Sequence, residues 1–154
     1  MPRRSILTPF ELESLVTIPT DRDSLIRYYT LNESDISIIG QHRGSENKLG
    51  FAIQLCYMRY PGVILSVNDK PPVDMLRMVA QQLKISVERW DSYGQREQTR
   101  REHINELQKM FGFKLFTMNH YKESVRTLTD LALQTDKGIV LANAVIENLQ
   151  RQSI

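Results

Sequence analysis

Residues 44–62, GSENKLGFAIQLCYMRYPG, decide the fold class. Gly44-Ser45 opens a helix and Pro61-Gly62 ends it, so the apolar run from Leu49 to Met58 reads as one long helix. Towards the N-terminus, Asn32 or Ser34 caps a helix through Ile39 that stops at Gly40, and a helix over 21–29 carries Leu25, Ile26 and Tyr29 as its apolar stripe. Thr8, Pro9 and Glu11 form a capping box for a short helix through Val16, broken by Pro19.

Towards the C-terminus, VILSVNDKPP (63–72) is the one plausible extended stretch and reads as a linker. Pro72 starts a helix, VDMLRMVAQQLKI, and Ser86 caps a second, VERWDSY, that ends at Gly94. QREQTRREHINELQKMF reads as a long helix with a solvated first half and an amphipathic second half, terminated by Gly112. Thr117 caps MNHYKESVRTLTDLALQT, and Gly138 sets off a last helix whose core stripe is Ile139, Val140, Ala142, Val145, Ile146 and Leu149. Strand alternation is almost absent. The expectation is an all-α, multi-helix bundle of two helix-turn-helix-like modules, 1–62 and 72–154, joined by a linker over 63–71.

The totals fit a soluble globular protein: 154 residues, 41% hydrophobic and 25% charged. The net charge of +2 permits nucleic-acid binding without requiring it. The one cysteine, Cys56, rules out an internal disulfide, and its apolar setting predicts a buried, inert thiol. Neither a secretory leader nor a membrane-spanning run is legible, which gives a cytoplasmic expectation.

Three segments are candidates for binding. Residues 79–90 have helix-turn-helix spacing: Ala80 permits a close crossing, Leu83, Ile85 and Trp90 pack between helices, and Ser86 caps the follower. Lys84 stands where the turn usually has glycine, and ordinary packed helix pairs share this pattern. Residues 35–51 end one helix, cross a polar turn with Arg43, and start another at Ser45 with Asn47 and Lys48 in its first turn. Amides at a helix start with a nearby arginine suit phosphate, and asparagine suits base edges; a solvated helix start between core elements reads equally well. Residues 95–103 place Arg96, Arg100 and His103 on one helical face, with Gln95 and Thr99 beside them. Glu97 and Glu102 interleave, as on a water-facing surface stitched by ion pairs. The three histidines lie at no metal-ligand spacing, and no phosphate loop or nucleophile triad is legible, so neither a cofactor nor catalysis is expected.

Longer strings go further. LIRYYTLNESDISIIGQHRGSENKLGFAIQLCYMRYPG, WDSYGQREQTRREHINELQ and LTDLALQTDKGIVLANAVIENLQRQSI strongly resemble the N-terminal region of transposases of the Tn-three family of replicative transposons. The resemblance runs from about Arg3 to Ile154. It implies that the Asp-Asp-Glu catalytic core lies far downstream, that this chain is not itself an enzyme, and that its role is sequence-specific binding to the terminal inverted repeats of the element. It also implies double-stranded DNA and the remainder of the transposase as partners, with a homodimer in the full-length protein. Arg43, Asn47, Lys48, Arg96, Arg100 and Arg101 become the DNA-contact candidates, with Ser45 and Gln98 beside them, while the glycines and aromatics of the same strings are assigned to packing. Alanine at both Arg100 and Arg101 is expected to weaken binding without unfolding. The rival expectation is a helical interaction module that docks on the rest of the transposase or a second protomer.

Overall fold

The computed structural model describes residues 7–15, 17–66, 68–94, 97–113, 117–134 and 137–154. Its regular elements are α1 (Pro9–Ser14), α2 (Arg22–Tyr29), α3 (Glu33–Gly40), α4 (Ser45–Arg59), α5 (Val73–Leu83), a 3-10 helix (Val87–Ser92), α6 (Glu97–Phe111), α7 (Met118–Ala132) and α8 (Gly138–Arg151). No strand occurs among the described residues, and the fold is all-α.

Helix starts follow local chemistry. The carboxyl of Asp21 accepts the amide of Ser24, and Asn32 with Asp35 and Thr8 with Glu11 form reciprocal capping boxes. Helix ends do the same: Gly112 sits after α6 at φ 67°, where a side chain would be strained.

Two compact units divide the chain, Ile18–Leu107 and Met1–Thr17 with Gln108–Ile154. In the first, α4 is the axis, with every residue from Leu49 to Met58 buried. A helix that is apolar on nearly all sides must be covered on nearly all sides, and here α2, α3, α5 and the 3-10 helix cover it. Each large side chain enclosed this way contributes ~1.5–3 kcal/mol. Ile39, Met75, Val79 and Leu107 complete that core.

The boundary expected at 63–71 does not separate compact units, because that segment lies within the first one. Polar side chains bind it and its neighbours in place. The buried amide of Gln54 accepts from Leu65 N–H and donates to Leu65 C=O, at 3.3 and 3.4 Å, as a neighbouring strand would. Gln82 of α5 donates to the Tyr29 carbonyl at 2.9 Å and accepts from Leu31 N–H at 2.8 Å, which joins α5 to the end of α2. Arg59 pairs with the buried Asp35 at 2.8 Å.

The helix-turn-helix expected at 79–90 takes a different form. α5 ends on Lys84 in the left-handed conformation (φ 57°), which shows how the turn proceeds without glycine. The follower is a six-residue 3-10 helix rather than an α-helix, and Trp90 is buried in the core. Ser86 spends its hydroxyl on Glu88 and caps no amide.

In the second unit α7 packs on α8, with Asn148 donating to Thr127 at 3.4 Å. The expected core stripe of α8 is only half covered, and the helix has no buried residue. Leu7, Leu128, Ala132, Leu141, Val145 and Ile146 line an open apolar groove of about 600 Å³.

Candidate nucleic-acid interface

The turn between α3 and α4 is set by Gly44, whose φ of +85° serves as the N-cap conformation of α4. Glycine has no side chain to cap with, so no side-chain cap closes the first turn of α4. Arg43 and Ser45 are exposed there, and Asn47 and Lys48 are partly exposed. Asn47 donates through Nδ2 to the Arg43 carbonyl at 2.9 Å, which fixes its amide against the turn. The turn thus gathers two cations, a hydroxyl and an oriented amide at a helix start, groups suited to phosphate and base edges, with the Glu46 carboxylate beside Gly44 offsetting one positive charge.

His42 points the other way. Its ring lies 4.1 Å from Phe51 and 4.7 Å from His103, centre to centre. Its Nε2 sits 3.4 Å from a Glu106 carboxylate oxygen but makes no hydrogen bond. His103 continues the cluster, with Nδ1 3.0 Å from the Tyr93 hydroxyl and its ring stacked on Tyr93. Burial, then the adjacent His42, lower the His103 pKa to about 4, against a smaller opposing effect of Glu102. The imidazole is therefore neutral at pH 7. Burial raises Tyr93 to about 12, which leaves a neutral phenol as its partner.

Gly50 shows how tightly the cluster closes: a Cβ there would lie 2.0 Å from the Tyr93 ring, so only glycine fits beneath it. Arg100 completes the cluster from α6. It is 6% exposed, donates to the Leu65 carbonyl at 2.7 Å, and stands over Tyr93.

The site residues expected from the sequence therefore divide. Arg43, Ser45, Asn47 and Lys48 come together at one turn. Arg100 does not join a surface and corrects the expectation: α6 turns it inward, where a buried carbonyl requires a donor. The double alanine variant accordingly loses its premise of an intact fold. Arg101 and Gln98 are exposed but engaged within α6, with Arg101 on Glu97 at 2.6 Å and Gln98 on Glu102 at 3.0 Å. Arg96 and Gln95 lie outside the described residues. With Glu97, Glu102 and Glu106 also exposed, the described part of α6 presents no basic stripe.

Sequence reading missed the inward face of α6, although one signal was present. Arg100, His103 and Leu107 are spaced i, i+3, i+7, and the undoubted core residue is Leu107. Cys56 is enclosed as expected, with burial pushing its thiol up to about 12. No group of three metal-ligating side chains occurs among the described residues. No described helix is long and apolar enough to cross a membrane.

Comparison with known proteins adds the biological setting. Residues 6–154 match a domain family described as a domain of unknown function, DUF4158. The whole chain is 64% identical to the transposase for transposon Tn3926 of Escherichia coli and covers 16% of it. It is 60% identical to the transposase for transposon Tn21 of Escherichia coli, again over the whole chain and 16% of that protein. Over 99% of the chain it is 45% identical to the transposase for transposon Tn501 of Pseudomonas aeruginosa, covering 15% of it. All three relatives are transposon transposases, and each is matched over about a sixth of its length. The chain belongs to the DUF4158 domain family, and it spans about 16% of the length of the transposases it matches, at their N-terminal end.

Proposed function

We propose that this chain binds double-stranded DNA at the terminal inverted repeats of its transposon, as a DNA-gripping part of a transposase. The observation that carries the reading is the turn at 41–48, where Arg43, Ser45, Asn47 and Lys48 meet at the side-chain-uncapped start of α4. A transposase must locate the ends of its element, and this turn has the chemistry for phosphate contact with base edges in reach. Arg101, Gln98 and Arg96 are secondary candidates. Arg100 serves the reading indirectly, by fixing the segment around Leu65.

The test is a titration of the 154-residue chain against a duplex carrying the terminal repeat and a scrambled duplex, at two salt concentrations. Preference for the repeat that survives higher salt is expected. With so few cations at the turn, the salt dependence should be shallow, at about 0.9 log unit per neutralised phosphate. Arg43→Ala with Lys48→Ala should weaken binding to both duplexes. A folded chain that binds neither duplex refutes the reading.

A second reading applies to the other unit. The open groove between α7 and α8, in a unit that also exposes Leu133 at 87% and Phe10 at 79%, suits an interaction module. Its proposed partner is the remainder of the transposase chain or a second protomer.

A further inference from the structure

We propose that the groove between α2 and α5 is a second contact surface for the DNA, one that grips the phosphodiester backbone; this rests on the DNA-binding reading above. The groove is about 440 Å³ and belongs to the same compact unit as the turn at 41–48. Arg22 of α2 stands on one wall and Arg77 of α5 on the other. Leu25 and Met78 line it between them, with Thr20 and Gln81 supplying neutral polar groups.

Four other arginines of the chain are already engaged. Arg59, Arg101 and Arg151 are paired with carboxylates, and Arg100 is buried on a carbonyl. Arg22 and Arg77 are exposed and form no ion pair among the described residues. Two guanidinium forks on opposite walls fit a phosphate geometry that lysines would meet less well. The apolar lining suits a deoxyribose, and Thr20 and Gln81 suit the remaining phosphate oxygens. The amide of Ser24 in α2 is already capped by Asp21, so the guanidiniums rather than the helix start would hold the anion.

Asp74 also lines the groove, and its charge opposes a phosphate there. That opposition gives the proposal a sign that a neutral structural cleft lacks. Removing the carboxylate should strengthen DNA binding, and removing the arginines should weaken it regardless of base sequence.

The experiment uses the 154-residue chain with the repeat duplex, the scrambled duplex and inorganic phosphate, with folding checked by thermal denaturation. Arg22→Ala with Arg77→Ala is expected to weaken both duplexes alike by about tenfold or more. It should also make the slope of log affinity against log salt shallower by about two. Asp74→Asn should strengthen both by roughly threefold. Unchanged affinity and slope in the folded arginine variant, while the unaltered chain still binds, overturn the groove and leave the DNA reading standing. Loss of inorganic phosphate binding with DNA binding intact makes the groove a small-anion site and likewise overturns the proposal. Failure of the unaltered chain to bind any duplex overturns both.

Discussion

Arg100 and Arg101 are adjacent, identical in chemistry and opposite in role. Arg100 donates to a buried carbonyl beneath the Tyr93 cluster, while Arg101 lies in water on an ion pair with Glu97. Arg100→Ala leaves the Leu65 carbonyl with only its long bond from Gln54, and should cost about 1–3 kcal/mol. Arg101→Ala should change stability by less than about 0.5 kcal/mol. Urea midpoints of the two single variants measure the contrast, and equal midpoints would remove Arg100 from the core. His103 makes a prediction at the same scale. Its folded pKa of about 4 lies below the ordinary 6.5, so between those values the unfolded chain binds a proton that the folded chain refuses. Stability is therefore complete above pH 6.5 and falls as the solution is acidified. From pH 6.5 to 5, above the main carboxylate range, the loss should be about 1–2 kcal/mol. His103→Gln should flatten that slope whatever it does to the midpoint at pH 7.5; an unchanged slope would place the titration elsewhere.

Among the elements, helix starts were legible because caps are written in a few adjacent residues, as at Thr8 and Asn32. Two features were not. A 3-10 helix at 87–92 has the composition of a short α-helix, but the cap expected at Ser86 makes no bond to an amide. The inward turn of Arg100 and His103 depends on carbonyl and phenol partners 35 and 10 residues away along the chain, which the spacing with Leu107 hints at but does not identify. Of the expected site residues, those at 43–48 lie exposed or partly exposed at one turn, while Arg100 and the neighbouring His103 face inward. α8 is legible as amphipathic, but its stripe remains half uncovered. If that stripe docks on the remainder of the transposase, Val145→Asp should lower the affinity of the separately prepared remainder for this chain by tenfold or more, since a carboxylate would enter an apolar contact. The chain's own stability should move by less than about 1 kcal/mol, because Val145 is not buried in it. Equal association of both forms would exclude α8 from the contact.

For the molecule as a whole, the division into units matters more than the run of helices. The unit over 18–107 holds the enclosed core and both proposed DNA surfaces, while the one formed by 1–17 with 108–154 holds the open groove. The sequence suggested a division near 63–71, where composition changes, but Gln54, Gln82 and Arg100 bind across that stretch and make it interior to a unit. The enclosed thiol of α4 then acquires a practical meaning. Cys56 has no exposure and is held almost wholly protonated at neutral pH, so an alkylating reagent can reach a thiolate only when α4 is uncovered. Its labelling rate in excess reagent becomes a clock for opening of the unit over 18–107, and one with a single reporter in the chain. Bound duplex should slow that clock in proportion to occupancy, whereas labelling as fast as that of a free thiol would mean that the unit is open most of the time.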